Sequence, residues 1–187
     1  GEFVVGPWEV DPTLISIGVN VTGLFLDADR LNSVEPGPMK QIAKDHQLIN
    51  GFGSGRGTIR GADHDNQLVI LVLRFPTADL ANDAARQFSE QAPVIDRAAP
   101  NQPIPIPGHP EALAHESTTA DRSFTVSAYT PHGPYVLYQY ALSDVNVDTA
   151  TQFVAKALDL QTSRIDKFQP TDPAQFATMQ TDPEGLL

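Results

Sequence analysis

Two units of the sequence share the same order, a strand followed by a helix. In the first unit, the uninterrupted apolar run at residues 68–75 predicts a buried strand, and residues 77–91 carry apolar side chains at helical spacing. In the second unit, residues 135–142 predict a strand and residues 147–167 a long amphipathic helix. These pseudo-duplicated strand-helix units can share one sheet and bury their helices against it. They therefore predict an α+β fold, a two-layer sandwich in which an antiparallel sheet of about five strands carries helices mainly on one face.

Weaker signals complete the predicted elements. Apolar residues alternate within residues 15–25, which indicates a half-buried strand, and residues 39–49 are typical of a short amphipathic helix. Strict alternation over residues 123–129 predicts a strand that pairs with residues 135–142 through the turn at 131–134. Three further segments are interpreted as a flexible or closely packed glycine-rich stretch (51–57), a proline-rich crossover (93–110) and a short C-terminal helix (172–179).

Composition limits the classes of partner and of chemistry. With 12 basic and 23 acidic residues the net charge is −11, spread along the chain, so the surface should repel nucleic-acid phosphates and offers no basic face for anionic lipid. Because the sequence has no cysteine, disulfides, thiolate catalysis and sulfur-ligated metals are excluded from these 187 residues. No apolar run reaches the roughly 18 residues of a spanning helix, and no signal peptide is recognisable. We expect a single domain without a cofactor.

Five segments occur in a fixed order along the chain: GFGSGR (51–56), VLRFPTA (72–78), HGPYVL (132–137), ALDLQ (157–161) and FQPTDP (168–173). Their order and spacing resemble a family of mycobacterial and other actinobacterial cell-envelope lipoproteins of unknown function. The resemblance implies an extracytoplasmic domain that is membrane-anchored through a lipid-modified cysteine preceding it, and it supplies no catalytic residue. Residues 1–3 look like a cloning remnant, because Glu-Phe commonly comes from a restriction site. We expect residues 4–187 to be one α+β domain, an N-terminal fragment of a longer lipoprotein.

Four residues are candidates for ligand binding. Arg56 and Arg60 lie in a stretch that is richer in arginine than the rest of this acidic chain, and their guanidinium groups could hold the anionic group of a ligand or lipid. The alternative is salt bridging to nearby acids. Tyr138 and Tyr140 fall on one side of a predicted strand and could form an amphipathic binding wall. Ordinary sheet packing explains these two tyrosines equally well.

No motif assigns catalysis or metal binding. Ser54, His132 and Asp144 could be placed in a hydrolytic triad, but the glycines around Ser54 lack the spacing of a nucleophile elbow. The Asp-His-Asp sequence at residues 63–65 offers metal donors, yet adjacent positions converge on one ion only in a special turn, and a solvated turn is the alternative. The glycine-rich segment lacks a nucleotide-binding fingerprint. We therefore assign no catalytic residue and no metal ligand.

These observations predict a noncatalytic cell-envelope domain that binds a small amphipathic molecule, such as a lipid, or an envelope protein, and that binds no nucleic acid. One alternative is a serine hydrolase acting on lipid or cell-wall esters. Another is a structural module that supports a C-terminal domain. We expect an extracytoplasmic location, with membrane contact only through the implied N-terminal lipid anchor.

Overall fold

A seven-stranded antiparallel sheet organises the residues that the computed structural model describes, which are 3–17, 22–33, 38–92 and 100–169. The strands are β1 (Gly23–Phe25), β2 (Asn50–Gly57), β3 (Asn66–Arg74), β4 (Gln102–Pro103), β5 (Leu113–Thr118), β6 (Phe124–His132) and β7 (Tyr135–Ser143). Their order across the sheet is β1-β2-β3-β7-β6-β5-β4. The sheet is open, with β1 and β4 at its edges and β7 in the centre.

Four α-helices accompany this sheet within the described residues: α1 (Pro7–Val10), α2 (Met39–Asp45), α3 (Ala78–Glu90) and α4 (Val147–Ile165). A 3-10 helix occupies Ala28–Ser33. The two long helices begin at side-chain caps, where the Thr77 hydroxyl accepts a hydrogen bond from the Leu80 amide at 3.2 Å and the Asn146 carboxamide accepts one from the Thr149 amide at 2.8 Å. Each cap satisfies an amide that the first helical turn leaves without an intrahelical partner.

The helices α3 and α4 cover opposite faces of the sheet. Successive side chains of β3 alternate between two cores: Leu68, Ile70 and Val72 belong to the cluster that contains the apolar side of α4, and Val69, Leu71 and Leu73 belong to the cluster that contains the apolar side of α3. We call these the α4 face and the α3 face. The N-terminal segment packs on the α4 face, and α2 packs on the α3 face.

The predicted α+β class and the antiparallel sheet are confirmed. The detail that placed the helices mainly on one face, in two layers, does not hold, because α3 and α4 enclose the sheet as a three-layer arrangement. The physical reason lies in the central strands. A strand without polar interruption presents apolar side chains to both faces, and one helical layer can bury only one of them.

Three strands, β2, β4 and β5, come from segments whose composition disguises them, and β4 lies in the proline-rich stretch predicted as a crossover. The glycine-rich stretch 51–57 is part of β2, which pairs with β3 along its whole length from Asn50 to Gly57. The β5 segment carries His115 and Glu116 in its middle and pairs with β6. The predicted C-terminal helix at 172–179 and residues 93–99 of the proline-rich crossover lie outside the described residues. None of the helices in the described ranges is long and apolar enough to cross a membrane.

Candidate functional site

The N-terminal segment is held on α4 by side chains that project from one side of that helix. The Gln161 carboxamide accepts a hydrogen bond from the Val5 amide at 2.9 Å and donates one to the Phe3 carbonyl at 2.8 Å. The Arg164 guanidinium donates to both carboxylate oxygens of Glu9, at 2.9 and 2.6 Å. This bidentate pair holds the pKa of Glu9 below its ordinary value and raises the pKa of Arg164. The start of the described chain is thereby fixed in place beside the sheet.

Trp8, the only tryptophan of the chain, is presented by this fixed segment. Its ring folds back over Gly6, where an added Cβ would lie 2.4 Å from the ring atom Cζ2. A side chain at position 6 would therefore force the indole to move. The ring is nonetheless 47% exposed, so it is positioned by the backbone and remains available at the surface.

Arg56 of β2 lies against the indole ring of Trp8. Its guanidinium carbon is 5.4 Å from the centroid of the Trp8 ring, within the range of a cation–π contact. Its side chain projects to the α4 face, because Arg56 pairs with Leu68 in the register of β2 and β3. The Arg56 Nη1 donates to the Thr22 hydroxyl at 2.8 Å and to the Gly55 carbonyl at 2.6 Å. Both acceptors are uncharged oxygens.

The charge of Arg56 is not neutralised by a carboxylate within the described residues. The two acidic side chains of the neighbouring N-terminal segment are already occupied. Glu9 is held by Arg164, and the Asp11 carboxylate caps the Thr13 amide at 2.8 Å. Arg56 is partly exposed, so its guanidinium keeps a positive charge within reach of solvent in a chain of net charge −11.

Exposed apolar side chains are concentrated early in the chain, and some of them lie beside this arginine. Six of the eight large apolar side chains that are exposed in the described residues precede β3: Trp8, Ile15, Ile17, Leu24, Leu26 and Ile59. Ile15 and Ile17 flank Ser16, which forms a backbone bridge with Gly57, the residue after Arg56, and Ile17 is 74% exposed. We call Trp8, Ile15 and Ile17, together with Arg56, the Trp8–Arg56 surface. It combines apolar area with one positive charge at the β1–β2 edge of the sheet.

The sequence-predicted ligand residues separate into different environments. Arg60 is exposed in the β2–β3 connection, four positions after Arg56, and makes no hydrogen bond or ion pair with the described residues. Tyr138 is 1% exposed and packs in the α3-face core with its ring centroid 5.1 Å from that of Tyr129. Tyr138 thus has the environment of ordinary sheet packing, the alternative that the sequence left open. Tyr140 is partly exposed and packs against the same core.

The three residues of the hydrolase alternative do not meet. Ser54 is buried in β2, and by strand spacing it lies roughly 20 Å from His132, which is three strands across the sheet and four residues further along. The Nε2 of His132 pairs with Asp166 at 2.6 Å, and Asp144 pairs with His64 at 3.4 Å. Within the described part of the chain, no group of three or more metal-binding side chains could hold an ion.

Of the residues on this surface, sequence reasoning singled out only Arg56 as a candidate, and Trp8 is the most prominent residue that it missed. The sequence does carry a signal for the short helix that contains Trp8, since Pro7 at the first helical position and Glu9 at the third are typical of a helix start. That signal predicts a short helix but not its contact with Arg56. The contact joins residues far apart in sequence, and no local pattern encodes it.

Comparisons with known proteins address the fold and the family. The chain is similar to the extracellular domain of PknH from Mycobacterium tuberculosis, with a TM-score of 0.56 and 14% identity over 87% of this chain and 94% of that chain. At this identity the likeness establishes a shared fold. None of the curated proteins matches the chain. A family model described as the N-terminal part of a domain of unknown function, DUF7373, matches residues 1–181, and the chain therefore belongs to the DUF7373 family.

Proposed function

We propose that this chain is a noncatalytic, extracytoplasmic domain of the cell envelope that binds an amphipathic molecule at the Trp8–Arg56 surface. The observation that carries the proposal is that the exposed side chains of Trp8, Ile15 and Ile17 lie beside an arginine with no carboxylate partner in the described residues. Soluble proteins rarely expose gathered apolar side chains without a binding role. Ligand sites typically combine apolar area with a few placed polar groups.

Two observations support the location. The sequence resembles actinobacterial lipoproteins, and the fold is shared with a domain that is extracellular in PknH. An extracytoplasmic domain meets lipids and other amphipathic envelope molecules as its ordinary surroundings. In the full-length protein, we place it on the outer side of the membrane, anchored by a lipid at a cysteine that precedes the domain.

Binding can be followed without a label, because Trp8 is the only tryptophan and belongs to the surface. Dodecyl phosphate, added below its micelle concentration, should change the Trp8 emission along a saturable curve. Ile17→Ser should weaken this binding about tenfold, the factor that corresponds to the loss of about 1.4 kcal/mol of apolar contact. Leu113→Ser is the matched control, since Leu113 is an exposed apolar residue of β5, well away from Trp8.

The outcomes separate the proposal from its alternatives. Saturable binding in the wild type and in Leu113→Ser, weakened in Ile17→Ser, supports it. No change in emission, or an equal loss in both variants, contradicts it. Capture of a single envelope protein through Trp8 and Ile17, with no response to the amphiphile, would assign the surface to protein contact and likewise contradict it.

A further inference from the structure

The geometry of Arg56 also indicates which polar group the ligand carries. Resting on the proposed function, we infer that the molecule bound at the Trp8–Arg56 surface carries an oxyanion, a phosphate or a carboxylate, and that the Nε–Nη2 edge of Arg56 binds it. The shared chemistry is two oxygen acceptors on one negatively charged centre.

The described residues use two of the five N–H groups of the Arg56 guanidinium and leave three unused. A guanidinium carries five N–H groups in a planar arrangement. The two on Nη1 are occupied by the Thr22 hydroxyl and the Gly55 carbonyl. The Nε–H and the two hydrogens of Nη2 have no acceptor in the described residues. The parallel N–H bonds of Nε and Nη2 form a fork that matches two oxygens of a carboxylate or phosphate.

The Arg56 side chain is held in one orientation by its neighbours. Thr22 and Gly55 hold the Nη1 end, Trp8 covers one face of the guanidinium, and Gly6 leaves room for the indole in that position. The side chain is therefore held before a ligand arrives, and little rotamer freedom remains to be lost on binding. Lysine cannot reproduce this arrangement, because its ammonium has neither the planar fork nor the stacking surface.

The Trp8–Arg56 surface disfavours a cationic headgroup. An exposed indole face can bind a quaternary ammonium group through its π electrons. Here that face already contacts the Arg56 guanidinium, and a cationic headgroup would have to displace or approach a like charge. The same surface should therefore prefer anionic headgroups over neutral ones, and neutral ones over cationic ones.

The test compares headgroups on one chain length by Trp8 fluorescence: dodecyl phosphate, dodecanoate, dodecyl maltoside and dodecyltrimethylammonium. We expect the two oxyanions to bind at least tenfold more tightly than the maltoside, and the ammonium compound to bind most weakly.

Arg56→Gln should remove this preference while apolar binding remains, and Arg56→Lys should recover only part of it. Arg122→Gln, which changes an exposed arginine on the far side of β7, should behave as the wild type. Urea unfolding of each variant verifies that the fold is retained.

Inorganic phosphate separates the headgroup from the chain. Competition by phosphate against dodecyl phosphate but not against the maltoside supports the inference. Equal binding of all four compounds, or an unchanged preference in Arg56→Gln, overturns the inference and leaves the proposed function standing. A Trp8 response to inorganic phosphate that the dodecyl chain does not strengthen supports the oxyanion site but contradicts the proposed function. Failure of every compound to bind overturns both.

Discussion

Ile70 and Leu71 are consecutive residues of β3, and truncating them one at a time tests whether both faces of the sheet are cores. Ile70 packs in the α4-face cluster and Leu71 in the α3-face cluster. Both side chains have 0% exposure. A sheet covered by helices on a single face would leave one of these two neighbours in contact with water.

The expected magnitude follows from complete burial. Replacing a buried Ile or Leu by Ala removes the apolar contact and leaves a cavity, at a cost of about 2–5 kcal/mol. We therefore expect Ile70→Ala and Leu71→Ala each to lower the free energy of unfolding by about 3 kcal/mol, which corresponds to about 6–12 °C in melting temperature for a chain of this size. Since domains of this kind have total stabilities of about 5–15 kcal/mol, each variant should still fold.

Urea unfolding followed by circular dichroism measures both effects. The slope of unfolding free energy against urea concentration should stay unchanged while the midpoint falls. Val145→Ala is the control, because Val145 is exposed in the connection to α4 and should change stability by less than about 0.5 kcal/mol. The three-layer arrangement is refuted if either core variant behaves like Val145→Ala.

Three further predictions concern individual side chains. Hydrogen bonds from Lys40 and Lys44 lower the pKa of Asp29 from 3.8 to about 2. The stability that Asp29 contributes is therefore present above about pH 4, near its unfolded pKa, and is lost as the pH falls towards 2. Asp29→Asn should flatten the fall of the urea midpoint over this interval, and an unchanged profile would count against the ion pairs. Gln139 is fully buried on β7, and neither of its carboxamide atoms is hydrogen-bonded to any part of the chain that the structure describes. Gln139→Met should therefore raise the unfolding free energy by about 1–3 kcal/mol, and a loss of stability in the same urea assay would show that the amide has a partner. Gly6→Ala should displace the indole and shift the Trp8 emission to longer wavelength, whereas an unaltered spectrum would show that the ring does not need the space above Gly6.

The long helices and strands could be predicted from the sequence, because the spacing of apolar residues and the intrinsic preferences of neighbouring residues determine them. Helical spacing and a Thr cap predicted residues 77–91, and the structure has α3 at Ala78–Glu90. The apolar runs predicted residues 68–75 and 135–142, and the structure has β3 at Asn66–Arg74 and β7 at Tyr135–Ser143. In these segments intrinsic preference and tertiary packing favour the same structure.

The arrangement of the elements was harder to predict, because it depends on partners distant in sequence. A continuous apolar strand indicates burial on both faces but does not say which helix covers which face. Glycine weakens strands by its conformational freedom, yet β2 forms because β3 supplies a pairing partner along its whole length. Arg56 was predicted as a candidate for anion binding from charge alone. Its indole neighbour, and a Nε–Nη2 edge that no described residue occupies, required the three-dimensional structure.

The most direct test of the binding account is an NMR titration of the 15N-labelled protein with dodecyl phosphate. The Trp8 indole Nε1–H and the Arg56 Nε–H resonances should shift together along one saturation curve. The amide of Phe88, in the α3-face core, should remain in place. Shifts that are largest on the α3 face, or that leave both Trp8 and Arg56 unmoved at saturation, would contradict the account.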